Sequence, residues 1–283
     1  MASDPLNFND HNRPFFGFQL VYPVVSRRAG GLSIGINLNP NQACNWACEY
    51  CQVPNLTRGK APPIDLKRLR DELDQMLDAA TSPAFMEAYV PEALRVLKDI
   101  AFSGNGEPTS SAQFPEAMSM VLDALQRRPA LAAVKIVTIT NGTYGRSAPV
   151  QQALAQSVSH GGEVWFKIDR GASEDIWQVN RVRLNMDQIL ARLKAVTDHC
   201  PVWIQTCMTA RQGAEPTPQA VQRYLDFMAR IRADQVPLQG ILLYTLARPS
   251  HQPGGELLQP LPQTWLEALA RALRALGWTV RIF

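Results

Sequence analysis

Apolar and polar residues alternate strictly over residues 33–39. Ile34, Ile36 and Leu38 share one face of this segment, and the other face carries only small or polar side chains. A period of two residues predicts a β-strand, and the small polar face predicts that the strand borders a cavity. Pro40 ends the strand, so the next loop begins at its C-terminal end.

The strand signal recurs later in the chain, at residues 97–102, 134–140, 163–169, 202–208 and 240–245. Apolar residues at helical spacing lie between and after these strands, at residues 66–77, 115–125, 186–196, 218–231 and 265–276. Repeated strand–loop–helix units predict an α/β protein with a parallel sheet and outer helices. The predicted fold is a partial (β/α)6 TIM-like barrel, with residues 278–283 as a last edge strand.

Residues 1–32 are polar and aromatic without a clear period, and they are predicted to form an N-terminal cap segment. Residues 33–283 are predicted to form one core domain, because 46% hydrophobic content can bury a sizeable core at this length. The formal net charge of +3 neither implies nor excludes a nucleic-acid partner. No stretch approaches the roughly 20 apolar residues of a membrane span, and no signal peptide is evident. We therefore expect a cytoplasmic protein without a membrane partner.

Three of the five cysteines, Cys44, Cys48 and Cys51, lie within eight residues in the loop after the first predicted strand. Thiolates packed this densely suit a [4Fe–4S] cluster, which cysteine sulfur holds. Three protein ligands for four irons leave one iron open to a second molecule. A structural zinc site usually takes four ligands in two short pairs, and all four histidines are far away in sequence. A disulfide framework belongs to small secreted domains, so it fits this chain less well.

The remaining cysteines, Cys200 and Cys207, flank a predicted strand. Seven steps along a strand separate their backbones by roughly 23 Å, and a disulfide needs Cα atoms within about 7 Å. Cys200 is predicted to be an ordinary small residue at the N-terminal rim of the barrel. Cys207 shares its strand face with Gln205 at the C-terminal end, where it would contact substrate or return a hydrogen atom. The alternative for Cys207 is a buried, inert thiol.

Further candidate residues follow the other predicted strands, where functional groups of parallel barrels lie. The glycine-rich loop Gly104, Asn105, Gly106 and Glu107 follows the second strand, and glycine lets a backbone approach a ligand closely. Asn141 and Gly142 follow the third strand. Lys167 and Asp169 share one face of the fourth strand, and apolar residues occupy its opposite face. The pair is predicted to face the lumen and contact a ligand, with a solvated ion pair as the alternative.

The cysteine spacing, with the aromatic Tyr50 before the last cysteine, resembles the radical S-adenosylmethionine (radical SAM) superfamily. The glycine-rich loop at residues 104–107 resembles the Gly-Gly-Glu-type motif of this superfamily, with Asn105 in place of the second glycine. The resemblance implies a barrel of the radical SAM type and two cofactors, a [4Fe–4S] cluster and SAM. Cys44, Cys48 and Cys51 would be the metal ligands. The implied SAM-binding residues are Tyr50, Gly104, Asn105, Gly106, Glu107, Asn141, Gly142, Lys167 and Asp169, and the implied catalytic residues are Lys167, Asp169 and Cys207.

Short stretches at residues 37–40, 51–54 and 244–249 resemble iron–sulfur oxidoreductases of the wyosine type. Enzymes of that type that condense pyruvate with a tRNA guanine use a second cluster, whose cysteines precede the triplet. No cysteine precedes Cys44 in this sequence. The wyosine condensation is therefore not expected.

The resemblance implies reductive cleavage of SAM to a 5′-deoxyadenosyl radical, which abstracts hydrogen from a small-molecule or nucleoside substrate. An activase that installs a glycyl radical on a partner enzyme is an alternative, since activases share the compact core without accessory clusters. An iron–sulfur electron carrier or sensor that never cleaves SAM is an alternative of another class. The expected reductant is an electron donor such as flavodoxin or ferredoxin.

Overall fold

The computed structural model describes residues 6–7 and 15–283. Its strands are β1 (Val21–Ser26), β2 (Gly31–Ile36), β3 (Ala43–Cys44), β4 (Thr57–Arg58), β5 (Leu97–Phe102), β6 (Lys135–Thr140), β7 (Glu163–Lys167), β8 (Val202–Cys207), β9 (Thr209–Arg211), β10 (Gly240–Tyr244), β11 (Leu258–Pro260) and β12 (Val280–Ile282). Its α-helices are α1 (Leu66–Thr81), α2 (Pro83–Tyr89), α3 (Phe114–Gln126), α4 (Ala148–Ser157), α5 (Ser173–Asn180), α6 (Met186–Thr197), α7 (Pro218–Ala233) and α8 (Gln263–Ala275).

The main sheet has eight strands in the order β1-β2-β5-β6-β7-β8-β10-β12. Every neighbouring pair is parallel except β1 and β2, which are antiparallel. All strands predicted from residue 33 onward are present, including β12 at the far edge. The prediction of a partial barrel with a parallel sheet is therefore confirmed.

The two faces of the sheet bury different sets of side chains. Outward-facing residues such as Ile100, Phe166 and Ile204 belong to the large core that packs against the helices. The inward face has its own smaller apolar cluster of five buried residues, Ala101, Val137, Trp165, Trp203 and Leu242. Burial on both faces is typical of parallel barrel strands, with helices outside and a lumen inside.

Capping side chains fix the starts of several helices. Asp65 is the N-cap of α1, and its side chain accepts a hydrogen bond from the backbone N–H of Arg68. Asn185 and Gln188 form a reciprocal capping box at the start of α6. The sequence did not predict α2, α4 or α5, which are seven, ten and eight residues long. Helices this short show fewer turns of apolar periodicity.

The main sheet begins inside the segment predicted as an N-terminal cap. Strand β1 pairs along its whole length with β2, in the register Val21 to Ile36 and Ser26 to Gly31. Five of its six residues are buried, so its sequence shows no alternation of apolar and polar positions. Tyr22 on this strand lies against Gly35, where any side chain would overlap the tyrosine ring.

No helix within the described ranges is long and apolar enough to cross a membrane.

A buried carboxyl group lies on the lumen side of β5. Asp99 is 4% exposed and accepts a hydrogen bond from the Ser33 hydroxyl. Burial raises the pKa of Asp99 to about 6, and the negative charge of Glu163 adds to the rise. The Ser33 hydrogen bond and the positive charges of Arg28 and Lys135 oppose it. The folded protein therefore binds this proton more tightly than the unfolded chain does.

The raised pKa of Asp99 predicts a loss of stability as the pH rises from about 4 to about 6, because in that range the folded state binds more protons than the unfolded state. Asp99→Asn keeps a neutral acceptor for Ser33. It is expected to raise the free energy of unfolding by about 3 kcal/mol at pH 7 and to change it little at pH 4. Denaturant unfolding at both pH values measures this, with the exposed Asp226→Asn as control. An Asp99→Asn effect of equal size at both pH values would contradict the assignment.

Candidate active site

Backbone hydrogen bonds attach the cysteine loop to neighbouring segments at its start and in its middle. Cys44 lies in β3, which pairs with β4, and its carbonyl accepts a hydrogen bond from the Gly59 N–H at 3.1 Å. In the middle of the loop, the Glu49 N–H donates to the carbonyl of Val179, near the end of α5, at 2.8 Å. Backbone hydrogen bonds therefore hold the loop against the end of α5.

The three cysteines of the loop line one cavity of about 130 Å³ at the C-terminal ends of the strands. Cys48 is buried, and Cys44 and Cys51 are half-buried. Burial raises the pKa of Cys44 to about 11 and that of Cys48 to about 12. These side chains are therefore neutral thiols near pH 7 without a metal, and a metal cluster would have to displace their protons.

The donor set around this cavity fits a cluster better than a single ion. Among the described residues, no three His, Cys, Asp or Glu side chains converge closely enough to hold one metal ion. A tetrahedral zinc site requires such convergence, with sulfur about 2.3 Å from the metal. The three cysteines line a common cavity, and cysteine sulfur is the donor that holds iron–sulfur clusters.

The predicted glycine-rich loop forms another wall of the same cavity. Gly104 has φ +125° and packs against Asn37, and a Cβ at Gly106 would collide with the carbonyl oxygen of Ala43. The Asn37 carboxamide oxygen accepts hydrogen bonds from the backbone N–H groups of Asn39 and Asn105. The glycines thus let this loop pack directly on the base of the cysteine loop.

The Glu107 carboxylate accepts hydrogen bonds from several groups of the protein. Its carboxylate accepts hydrogen bonds from the Thr140 hydroxyl at 2.6 Å and from the Asn141 backbone N–H at 2.7 Å. Thr109 donates two further hydrogen bonds to the same carboxylate. Burial raises the pKa of Glu107, and these hydrogen bonds oppose the rise. Glu107 therefore joins the loop after β5 to the end of β6.

Asn141 and Gly142 connect the end of β6 to the cysteine loop. The Asn141 side-chain N–H group donates to the Asn45 carboxamide oxygen at 2.8 Å. Gly142 has φ +73° and packs so closely on Phe166 that a Cβ would overlap the ring. Asn141 lines the cysteine cavity together with Glu107.

Asp169 follows the end of β7 and is buried beneath the cysteine loop, where it lines neither cavity. Its carboxylate accepts hydrogen bonds from the Tyr50 hydroxyl at 2.5 Å, from the Asn180 carboxamide at 2.7 Å and from the Cys207 backbone N–H at 2.8 Å. Its side chain has no exposed surface. Asp169 is thus positioned to orient its neighbours, and a direct contact with a ligand stays a prediction.

Lys167 lies between the cysteine cavity and the lumen. Its ammonium group donates to the Tyr50 hydroxyl at 2.6 Å and lies 4.0 Å from the Asp169 carboxylate. Burial lowers the pKa of Lys167, but Tyr244 and Asp169 outweigh this effect and the pKa is raised overall. The side chain is therefore positively charged near pH 7. The structure brings Lys167 and Tyr50 to the same wall as the three cysteines.

A second cavity, of about 270 Å³, occupies the lumen beside the first. Tyr50, Cys51, Val53, Gly104 and Lys167 line both cavities. The two cavities are therefore neighbours with a common wall.

The two cysteines outside the loop lie apart from each other. Cys207 is buried and lines the lumen cavity beside Lys167. Cys200 is buried away from the lumen, where its thiol donates to the Gly162 carbonyl at 3.4 Å. All five cysteines are free. Strand β8 runs between Cys200 and Cys207.

Sequence reasoning missed several residues of this site. Asn180 donates hydrogen bonds both to the Cys48 sulfur at 3.2 Å and to Asp169. Arg170 donates to the Cys207 carbonyl at 3.0 Å. Arg28 and Tyr244 line the lumen cavity. Tyr244 begins the stretch 244–249 that carries part of the sequence resemblance, but the sequence assigned it no role. The sequence offers no motif for Asn180, Arg170 and Arg28, because their partners come from distant segments.

The chain matches no family model and no curated protein. Solved structures do match. A radical SAM methyltransferase from Sphaerobacter thermophilus is 14% identical with a TM-score of 0.62, over 93% of this chain and 68% of that one. A spore photoproduct lyase is 11% identical with a TM-score of 0.55, over 91% and 77%. TYW1 with a bound lysine–pyruvate adduct is 14% identical with a TM-score of 0.54, over 87% and 74%.

The chain has the radical SAM fold. Identities of 11–14% show the fold alone, so they assign no substrate. In this radical SAM fold the cysteine loop follows β2, the glycine-rich loop follows β5, and both face one cavity. The fold expected from the sequence resemblance is therefore confirmed.

Asp169→Asn tests whether this carboxylate organises the cysteine loop. The new amide would place N–H groups against the N–H donors of Asn180, so we expect a loss of about 2 kcal/mol in stability. We also expect less iron per chain after anaerobic reconstitution, because Tyr50 and Asn180 hold the loop around Cys48.

The matched control for this prediction is Asp175→Asn. Asp175 is also a buried carboxylate, but it pairs with Arg223 at 2.7 Å, away from the cysteine cavity. The Asp175→Asn substitution should destabilise the protein without changing its iron content. Thermal unfolding and iron analysis of both variants decide the matter, and an unchanged iron content in Asp169→Asn would count against the organising role.

Proposed function

We propose that this protein is a radical SAM enzyme that acts on a small-molecule or nucleoside substrate. The observation that carries the proposal is the common wall of the two cavities. One cavity gathers the three cysteines with the glycine-rich loop, and the other extends into the barrel lumen. A cofactor in the first would therefore be adjacent to a substrate in the second.

Cys44, Cys48 and Cys51 are proposed to hold a [4Fe–4S] cluster, and the chemistry of the donor set supports this. When bound, the cluster and SAM would supply reductive cleavage of SAM to a 5′-deoxyadenosyl radical that abstracts hydrogen from the substrate. Asn180 would keep the Cys48 sulfur in place through its hydrogen bond.

The backbone of Gly104, Asn105 and Gly106 is proposed to contact the methionine part of SAM, because Gly104 and Gly106 line the cysteine cavity. Glu107 would fix that loop, together with Asn141 and Gly142 at the end of β6. Lys167 supplies a positive charge at the common wall, held there by Tyr50 and Asp169. These residues orient the cofactor, and the buried walls exclude water.

The lumen cavity favours a small substrate over a protein partner. Its volume of about 270 Å³ lies near the lower end of the roughly 300–1,000 Å³ of small-molecule sites. The glycyl-radical activase stays the second candidate of the enzyme class. Cys207 is proposed to contact the substrate or to return a hydrogen atom, because it forms part of this cavity wall.

An external reductant is part of the proposal. We expect an electron donor such as flavodoxin or ferredoxin to dock near the cysteine loop. Arg58 and Arg183 are exposed, and Arg58 donates a hydrogen bond to the Asn45 carbonyl within the loop. A positive surface at that position favours an acidic partner.

Anaerobic incubation of the reconstituted protein with SAM and dithionite is expected to yield 5′-deoxyadenosine, measured by chromatography. The triple variant Cys44→Ala, Cys48→Ala, Cys51→Ala should purify colourless, bind no cluster iron and form no 5′-deoxyadenosine, because it lacks every thiolate of the loop.

Cys200→Ala is the matched control, since this thiol lies away from both cavities. It should keep the iron and the product. Wild-type protein that holds a cluster but never forms 5′-deoxyadenosine would favour the electron carrier or sensor. A triple variant that keeps its full iron content would refute the ligand assignment.

A further inference from the structure

The lumen cavity has a strongly cationic lining. Arg27, Arg28, Lys167 and Arg248 contribute side chains to it, and none of the described residues that line it is Asp or Glu. Two of these arginines come from the turn between β1 and β2, at the edge of the sheet. The cavity therefore combines positive charges from opposite sides of the barrel.

Arg28 reaches from the β1–β2 turn across the lumen. Its guanidinium carbon lies 4.9 Å from the centroid of the Trp165 ring and 5.0 Å from that of the Tyr244 ring. These aromatic faces hold the cation in place. Its Nη1 atom is buried and has no hydrogen-bond partner among residues 6–7 and 15–283.

Gln205 has a second buried polar atom without a hydrogen-bond partner among the described residues, on the same side of the lumen. The residue is 4% exposed, and its Nε2 atom donates to the Tyr244 hydroxyl at 3.0 Å. Its Oε1 atom is buried without a hydrogen-bond partner in the described part of the chain. Tyr244 thus lies between two unsatisfied groups, a donor on Arg28 and an acceptor on Gln205.

A buried polar atom without a hydrogen-bond partner lowers the stability of the protein unless a ligand supplies the missing partner. A buried donor or acceptor without a partner costs about 1–3 kcal/mol. Burial and the neighbouring Arg28 also lower the pKa of Arg27, which reflects repulsion between the two positive charges. A bound anion would satisfy the Arg28 donor and offset the repulsion between the two arginines, and a donor group beside the anion would satisfy Gln205 Oε1.

We propose that the lumen cavity binds a small molecule that carries a carboxylate or phosphate group next to a hydroxyl or amine. The anionic group binds the Arg28 guanidinium, and the hydroxyl or amine donates to Gln205 Oε1. This deepens the proposed function, because it assigns a substrate class to the same lumen.

The proposed anion site is separate from the cysteine cavity. Arg28, Gln205 and Tyr244 line only the lumen cavity, whereas Cys44, Cys48, Gly106 and Glu107 line only the other. Lys167 lies between them. An anion held at Arg28 would therefore place the rest of a small molecule beside the common wall.

Calorimetric titration of the reconstituted protein tests the proposal, with SAM at saturating concentration. The probes are glycolate, which has a carboxylate next to a hydroxyl, and inorganic phosphate. Arg28→Gln is expected to weaken binding of the preferred probe at least about tenfold, because a hydrogen bond to a charged group contributes about 1.5–3 kcal/mol. The exposed Arg146→Gln removes the same charge elsewhere and should leave the affinity unchanged. The better of the two probes identifies the anionic group.

Gln205→Glu provides a second variant should Arg28→Gln fail to fold, as judged by thermal unfolding. It places a negative charge at the same site and should also weaken binding of the anion. The titrations are repeated without SAM. Three results would overturn the proposal: neither probe binds, both variants bind like Arg146→Gln, or both probes bind only when SAM is omitted. Formation of 5′-deoxyadenosine by the wild type is measured separately, so a failure of this inference is distinguishable from a failure of the proposed function.

Discussion

The buried carboxylate of Asp169 joins four parts of the chain that are far apart in sequence. It accepts hydrogen bonds from Tyr50 in the cysteine loop, Asn180 at the end of α5 and the Cys207 backbone at the end of β8, and it lies 4.0 Å from Lys167 on β7. A buried carboxylate is costly unless such partners surround it. The positions of these segments are therefore coupled, and the cysteine loop depends on a strand end and a helix end for its shape.

Buried polar side chains also join separate segments by hydrogen bonds on the other side of the cysteine cavity. Glu107 gathers donors from its own loop and from the end of β6, and Asn37 accepts two backbone N–H groups at the base of the cysteine loop. Buried polar side chains thus take up the hydrogen bonds of irregular backbone that strands cannot satisfy. This leaves the glycine-rich backbone facing the cavity, where a cofactor could use it.

The sequence predicted what depends on local periodicity and spacing. The alternation of β2 and the facing of Lys167 and Asp169 follow from a period of two residues, and the cysteine triplet is a contiguous motif. Strand β1 was missed because burial on both faces removes its alternation. Asn180 and Arg28 were missed for a different reason. Their roles arise from contacts with distant segments, such as the pair of Asn180 and Cys48, for which no local pattern exists.

The edge strand β1 links the architecture of the sheet to the contents of the lumen. An antiparallel strand at this edge pairs with β2 and covers hydrogen-bonding groups that would otherwise be open. Its turn then carries Arg28 to the far wall, against Trp165 and Tyr244. Proteins that are 11–14% identical share this fold, so the barrel tolerates wide changes in sequence. Arg28 lines only the lumen cavity, and it is carried by the edge hairpin rather than by the segments that hold the cysteine loop.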